Sequence, residues 1–200
     1  MRRPEERAAA NESMMGNMAG ANFERWRFRR VTRQDFPLLG SWLRQPQVHR
    51  WWQQDSEPAA LEEFFGPSVD GLEPNEDWLG LEEGRPVALI QRSRVAAYTE
   101  NIQEFSLLGE VPDDAITIDY LLGERRGQGL GPSMLAAFVD RCWTDDPATP
   151  AIMVTVVAAN RPSWRALQHI GFRIVGQGNV PPENPDDDPL HYLLRLDRPT

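Results

Sequence analysis

The sequence predicts an α/β chain (α+β by some schemes) in which about seven strands alternate with about four helices. Three observations carry this. Ile116, Ile118, Tyr120 and Leu122 alternate with Thr117, Asp119 and Leu121, a strand pattern. That strand runs into Arg126-Gly127-Gln128-Gly129-Leu130-Gly131, a glycine-rich turn, and then into a helix. Ile152 to Val157 is a continuous apolar run, as expected of a strand covered on both faces.

The glycine turn organises the rest. Glycine lets the backbone turn tightly and approach a ligand closely. Pro132 suits the first turn of a helix. Met134, Leu135, Phe138, Val139 and Cys142 then recur at helical spacing. A loop that feeds a helix N-terminus presents free N–H groups and the positive end of a dipole, so it is an anion site. It lacks the Gly-Lys-Ser/Thr of a nucleotide P-loop and the acid that follows a dinucleotide fingerprint. It fits Arg/Gln-x-x-Gly-x-Gly/Ala through Arg126, Gly129 and Gly131.

The remaining elements follow in order. Residues 1–22 lack periodicity and read as a disordered tail, with Met14 or Met15 as an alternative start; 23–200 read as a single domain. Phe23 to Val31 alternates apolar and charged residues, a strand with one wet face. Thr32 is a candidate N-cap with Asp35 in the first turn, and Phe36, Leu38, Leu39, Trp42 and Leu43 give an amphipathic helix ending before Pro46. Trp51 and Trp52 are adjacent, so both cannot face one core, and one is expected to line a cleft. Pro58 to Phe65 reads as a second helix, broken by Gly66-Pro67. Trp78–Leu81 and Pro86–Val95 read as a hairpin turning at Glu83-Gly84. Tyr98 to Asp114 is polar and acidic, with no clear period. Beyond Ile152–Val157, Asn160 caps a helix whose inner face is Trp164, Leu167 and Ile170, and Gly171 ends it. Phe172–Gly176 and Leu190–Leu196 form a last strand pair around an acidic, proline-rich loop.

Composition sets bounds. The net charge is −9, and all 21 basic residues are arginine. Such a chain is expected to repel nucleic acid and anionic membrane. No stretch is apolar enough to span a bilayer as a helix, and, with no apolar run after the N-terminal arginines, no secretory signal is expected. One cysteine, Cys142, excludes an internal disulfide and suits a reducing cytoplasm. It lies on the apolar helix face, which favours a buried thiol over a nucleophile. His49, His169 and His191 lack metal-ligand spacing, and no metal is expected.

The glycine loop resembles the coenzyme A pyrophosphate loop of the GNAT acyltransferase superfamily, and the order of elements resembles that superfamily over about residues 23–198. More narrowly, the chain resembles the aminoglycoside 6'-N-acetyltransferases. Trp42-Leu43 with Val48-His49-Arg50-Trp51-Trp52 is similar to that group's W-L…V-x-x-W-W. Thr117 to Glu124 is similar to its G-I-D-Q-F-I-G-E strand, and Asn160 with Gly171-Phe172 to its N…G-F segment. The chain departs at three places: the loop before Arg126 is about two residues shorter, Tyr120 replaces the Gln, and Leu167 stands where a tyrosine thought to protonate the leaving thiolate is often found.

The resemblance implies a GNAT fold, a central mixed, mostly antiparallel twisted sheet, acting as a monomer or homodimer. It implies an acetyl-CoA-dependent N-acetyltransferase whose acceptor is a small cationic amine, most nearly an aminoglycoside. Leu121, Leu122, Arg126, Gly127, Gln128, Gly129, Leu130, Gly131, Pro132 and Asn160 are the implied coenzyme A residues. Asp119 is the candidate proton acceptor, the one charged side chain in an apolar strand; a structural carboxylate paired with arginine is the alternative. Trp51, Trp52, Gln91, Glu104 and Asp187 are candidate acceptor contacts. Asp186-Asp187-Asp188 either draws a polycation or is a solvated loop. Two other readings stay open: a siderophore hydroxylysine-type acyltransferase using a longer acyl-CoA, and an acyl-CoA-binding sensor without turnover.

Overall fold

A computed structural model describes residues 25–182, 184 and 186–199. The expected tail over 1–22 and the expected first-strand residues Phe23 and Glu24 lie outside them. Seven strands form one sheet: β1 (Trp26–Arg30), β2 (Glu76–Glu82), β3 (Arg85–Arg94), β4 (Ile116–Leu122), β5 (Ala151–Val157), β6 (Arg173–Asn179) and β7 (Leu190–Asp197). Their spatial order is β1-β2-β3-β4-β5-β7-β6. Every neighbouring pair is antiparallel except β4 and β5. The β2–β3 turn places Glu83 and Gly84 at φ 50° and 80°, so the expected hairpin forms where glycine relieves the second left-handed position.

The helices are α1 (Phe36–Leu43), α2 (Pro46–His49), α3 (Pro58–Val69), α4 (Thr99–Leu108), α5 (Leu130–Asp145) and α6 (Arg161–His169). That is six among the described residues, where about four were expected. The short α2 and the whole of α4 are additions. α4 falls in the stretch that had no clear period, because Phe105 and Leu108 are its only buried residues. α3 also runs on through Gly66-Pro67 instead of stopping at Phe65. Phe65 and Ser68 are both buried, so packing holds the turn that proline would weaken. No helix among the described residues is long and apolar enough to cross a membrane.

The sheet is covered on both faces. Trp78, Ala88, Ile90, Ile118 and Val154 pack with Met134, Leu135 and Phe138 of α5 and Leu167 of α6. The alternate residues Leu79, Leu89 and Leu121 pack with Leu39, Trp42 and Leu43 of α1 and Phe65 of α3. A smaller core joins Phe105 and Leu108 of α4 to Met153 and Leu193. Strand alternation therefore assigns Thr117, Asp119 and Leu121 to the α1–α3 face, and Ile118, Tyr120 and Leu122 to the α5–α6 face.

One irregularity positions the site. β4 and β5 pair only at Ile116↔Ile152 and Thr117↔Met153. Beyond that the two strands share no ladder, and the backbone edge of β4 from Ile118 onward has no strand partner on that side among the described residues. Parallel strands that part in this way leave an opening between their C-terminal ends, where ligands of open α/β sheets are received.

Candidate active site

A cleft of about 280 Å³ occupies this opening. Asp119 and Tyr120 line it from β4, and Val154, Thr155, Val156 and Val157 from β5. Asn160 and Ser163 close it from the start of α6, Gln91 from β3, and Asn101 and Glu104 from α4. Trp51, Trp52 and Phe64 cover it from the α1–α3 side. A second cleft of about 370 Å³ shares Phe64, Gln91, Asn101, Thr117 and Asp119, and adds Glu63, Glu73 and Tyr98. Across the two clefts the lining carries four carboxylates, Glu63, Glu73, Glu104 and Asp119, and no arginine among the described residues.

Most of the expected acceptor residues are brought together here. Trp51 and Trp52 both line the cleft and both are half-buried, where one of them was expected to line it. Trp52 also packs against the α1–α3 core, so a single ring serves both surfaces. Gln91, Glu104 and Asp119 face one another across the same cleft. Asp119 is exposed to the cleft rather than buried inside the strand. Asp187 is the exception. Its side chain, 5% exposed, is held by both terminal nitrogens of Arg50, and that pairing keeps its carboxyl below the usual range. It meets an arginine of this chain where an acceptor contact was expected.

Several lining residues escaped the sequence reading: Phe64, Asn101, Tyr98, Glu63 and Glu73. A signal for part of this set existed. Tyr98, Asn101, Glu104, Phe105 and Leu108 recur at the i, i+3, i+4 spacing of one helix face. The exposed Ile102 and Leu107 obscure that period.

The glycine loop follows β4 directly. Arg125, Gly127 and Gly129 adopt positive φ, at 53°, 74° and 73°, and Gly129 is the residue that precedes α5. Nothing lies within 4 Å of where a Cβ would sit at Gly127 or Gly129, so these glycines serve the backbone conformation and an open approach, not a tight neighbour. Gly127, Gln128 and Gly129 are exposed at the N-terminus of α5, whose first N–H groups lack intrahelical partners. This donor set fits a pyrophosphate.

The loop is braced from below. Arg126 donates to the carbonyl of Leu122 at 2.9 Å and to Gln45 Oε1, so its side chain fastens the loop. Gln45 Nε2 donates in return to the carbonyl of Gly123 at 3.1 Å. Arg125 pairs with the buried Glu82, which Arg25 also holds. At Gly123 the chain passes so close to Trp42 that a Cβ would stand 1.9 Å from the indole.

Tyr120 and Leu167 occupy different places. Leu167 is fully buried in the α5–α6 core and does not reach the cleft. The Tyr120 hydroxyl spans the strand opening and lies 2.8 Å from Ser163 Oγ. Burial, and after it the charge of Asp119, push that phenol well above its usual range, so it stays neutral. Asn160 caps α6, its side-chain oxygen accepting from Ser163 N at 3.4 Å.

Comparison with known proteins agrees with this geometry. A family model described as an acetyltransferase (GNAT) domain matches residues 31–180. The chain is 25% identical over 173 residues to the aminoglycoside N(6')-acetyltransferases type 1 of Klebsiella pneumoniae and of Serratia marcescens, covering 84% of this chain and 81% of each relative. Among solved structures it is similar to AAC(6')-Ib in complex with paromomycin and acetyl-CoA, at a TM-score of 0.73 and 22% identity over 87% of this chain and 94% of that one. It is also similar to the aminoglycoside N(6')-acetyltransferase of Legionella pneumophila, at a TM-score of 0.64 and 20% identity over 86% and 92%. With three-quarters of its length matched by the family model, an anion loop at the head of α5 and a parted β4–β5 pair, the chain belongs to the GNAT acetyltransferase family, as an N-acetyltransferase that uses acetyl-CoA.

Proposed function

We propose that this protein acetylates a primary amine of an aminoglycoside, the 6'-amino group, with Asp119 as the residue that receives the ammonium and takes its proton. The observation that carries the reading is the charge of the cleft. Asp119 and Glu104 line it, Glu63 and Glu73 line its extension, and no arginine among the described residues lines either. Such a cavity favours a polycation over a neutral or anionic acceptor. Trp51, Trp52 and Phe64 add flat apolar surface for the faces of sugar rings. The names of the curated relatives point the same way.

An ammonium cannot attack a thioester until it loses a proton. Asp119 stands on β4 beside the parted strands, three residues from Leu122, where the free backbone edge and the α5 N-terminus can hold the donor. Its carboxylate orients the ammonium by charge and accepts the proton directly or through water. The glycine loop, with Leu121, Leu122, Leu130, Gly131 and Pro132 around it, is the proposed coenzyme A site. Arg126 contributes by holding the loop's shape, and Asn160 by fixing the start of α6.

The test is thiol release from acetyl-CoA with a panel of aminoglycosides carrying or lacking a 6'-amino group, alongside hydroxylamine acceptors and longer acyl-CoA donors. Turnover restricted to 6'-amino compounds supports the reading. Turnover of hydroxylamines with long-chain donors and none of the aminoglycosides defeats it.

A further inference from the structure

We propose that Asp77 is a positioning residue: it holds the side-chain amide of Gln91 with its carbonyl oxygen turned to the acceptor cleft, so that the wall beside Asp119 offers oxygen acceptors to an ammonium. The inference rests on reading the cleft as an amine site and adds the device that shapes it.

Asp77, Gln91 and Asp119 form one row across three strands. Gln91 pairs in register with Asp77 of β2 on one side and with Asp119 of β4 on the other. In-register partners share a sheet face. The row runs from core to solvent: Asp77 is 1% exposed, Gln91 is half-buried, and Asp119 is exposed. Gln91 lines both clefts, and Asp77 lines neither.

The hydrogen bonds set the direction of the amide. Gln91 Nε2 donates to Asp77 Oδ1 at 2.7 Å, and Asn75 Nδ2 donates to the same oxygen at 3.0 Å. A primary amide has one donor end and one acceptor end. With the donor end on Asp77, the acceptor end is left to the cleft. The reversed amide would set its oxygen against a carboxylate oxygen in a buried place, which is costly. Burial pushes the Asp77 carboxyl up, above the lowering by Gln91, Ser68 and Asn75. That does not change the argument. Oδ1 already accepts two N–H groups, so a proton would sit on Oδ2, and Oδ1 is an acceptor in either state. An ammonium has only donors, so a wall of oxygens matches it and a wall turned to present N–H would not.

Asp77→Leu removes the acceptor and keeps the branching at Cγ. Acceptor KM should rise about tenfold, with kcat and the acetyl-CoA KM within about twofold of the parent. Asp77→Asn keeps a carbonyl oxygen at Oδ1 and should leave the acceptor KM within about twofold. Gln91→Leu should resemble Asp77→Leu, and the double variant should be no worse than Gln91→Leu alone, because Asp77 acts only through Gln91. An unchanged acceptor KM in Asp77→Leu, a large rise in Asp77→Asn, or additive losses in the double variant would each overturn the proposal. Asp77→Ser, polar but too short to reach Gln91, replaces the leucine variant if that fails to fold, with the same expectations. A readout without acceptor separates this from the functional reading. The Gln91 side-chain amide protons, assigned by their absence in Gln91→Leu, should exchange with water more slowly in the parent and Asp77→Asn than in Asp77→Leu or Asp77→Ser. Equal exchange in all of them overturns the positioning. Slow exchange in a parent that acetylates no amine defeats the function proposed above and leaves the positioning standing.

Discussion

Arg50 and Asp187, 137 residues apart in the chain, are joined by paired hydrogen bonds that tie the Trp51-Trp52 segment to the β6–β7 loop. The same guanidinium lies 4.5 Å from the centroid of the Trp51 ring. One arginine thus anchors a cleft-lining indole and neutralises the acid that sequence reasoning had assigned to the acceptor. Arg50→Ala and Asp187→Asn should each raise acceptor KM by about two- to fivefold, the scale of a partly exposed ion pair, and leave acetyl-CoA KM unchanged. The double variant should match the singles. If Asp187 instead contacts the acceptor directly, Asp187→Asn will be clearly worse than Arg50→Ala in steady-state kinetics.

Asp119→Asn keeps the shape of the side chain and removes its charge. Fold and coenzyme A affinity should survive. The value of kcat/KM at neutral pH should fall by roughly 10²-fold or more, the usual scale of general-base loss. The deficit should shrink as pH rises, because more of the acceptor is then already neutral. Turnover within about threefold of the parent at neutral pH would make Asp119 a structural residue.

Gly129 sits at φ 73° immediately before α5. A β-branched side chain disfavours that conformation and projects toward the expected phosphate path. Gly129→Val should weaken acetyl-CoA binding at least tenfold, about 1.4 kcal/mol. Gly129→Asn should lose less, since asparagine tolerates the left-handed region. Calorimetry with folded variants checks both; an unchanged affinity in the valine variant removes the loop from the donor site.

Gly123 is required by contact, not by conformation. An alanine methyl would meet the Trp42 indole at 1.9 Å, and that indole is fully buried. Gly123→Ala should cost about 1–3 kcal/mol or more of unfolding free energy. Denaturant unfolding should show part of the loss recovered when Trp42→Leu is added, because the smaller side chain opens the same space. Strict additivity of the two changes would place the strain elsewhere.

Asp35 supplies a pH test away from the cleft. Burial pushes its carboxyl up, but the Arg29 guanidinium and the Thr32 N–H and hydroxyl together outweigh that and hold it below the usual carboxylate range. A depressed native value contributes stability that is complete above the ordinary carboxylate range and lost as pH falls through the native value. Asp35→Asn should therefore destabilise by about 1–3 kcal/mol at neutral pH. The gap from the parent should close in acid, as Asp35 itself becomes protonated. A gap constant down to pH values where carboxylates are neutral would assign the loss to packing.

Local sequence was enough for much of this molecule. The alternation of β4, the Glu83-Gly84 turn, the glycine loop before α5 and the Asn160 cap are short-range patterns, and the backbone obeys them because each is satisfied within a few residues. Asp119 was legible for the same reason: it is a lone charge in an apolar strand. What the tertiary structure decided was partnership. Sheet order places β7 between β5 and β6, and the paired hydrogen bonds bring the β6–β7 loop onto Arg50. Strand register sets Gln91 between Asp77 and Asp119. Burial of Phe65 and Ser68 carries α3 through a proline that local propensity reads as a stop. A charged or polar side chain has no period that names its partner. Its role depends on which donor or acceptor the folded chain places within hydrogen-bond reach, and that is fixed only when distant segments pack together.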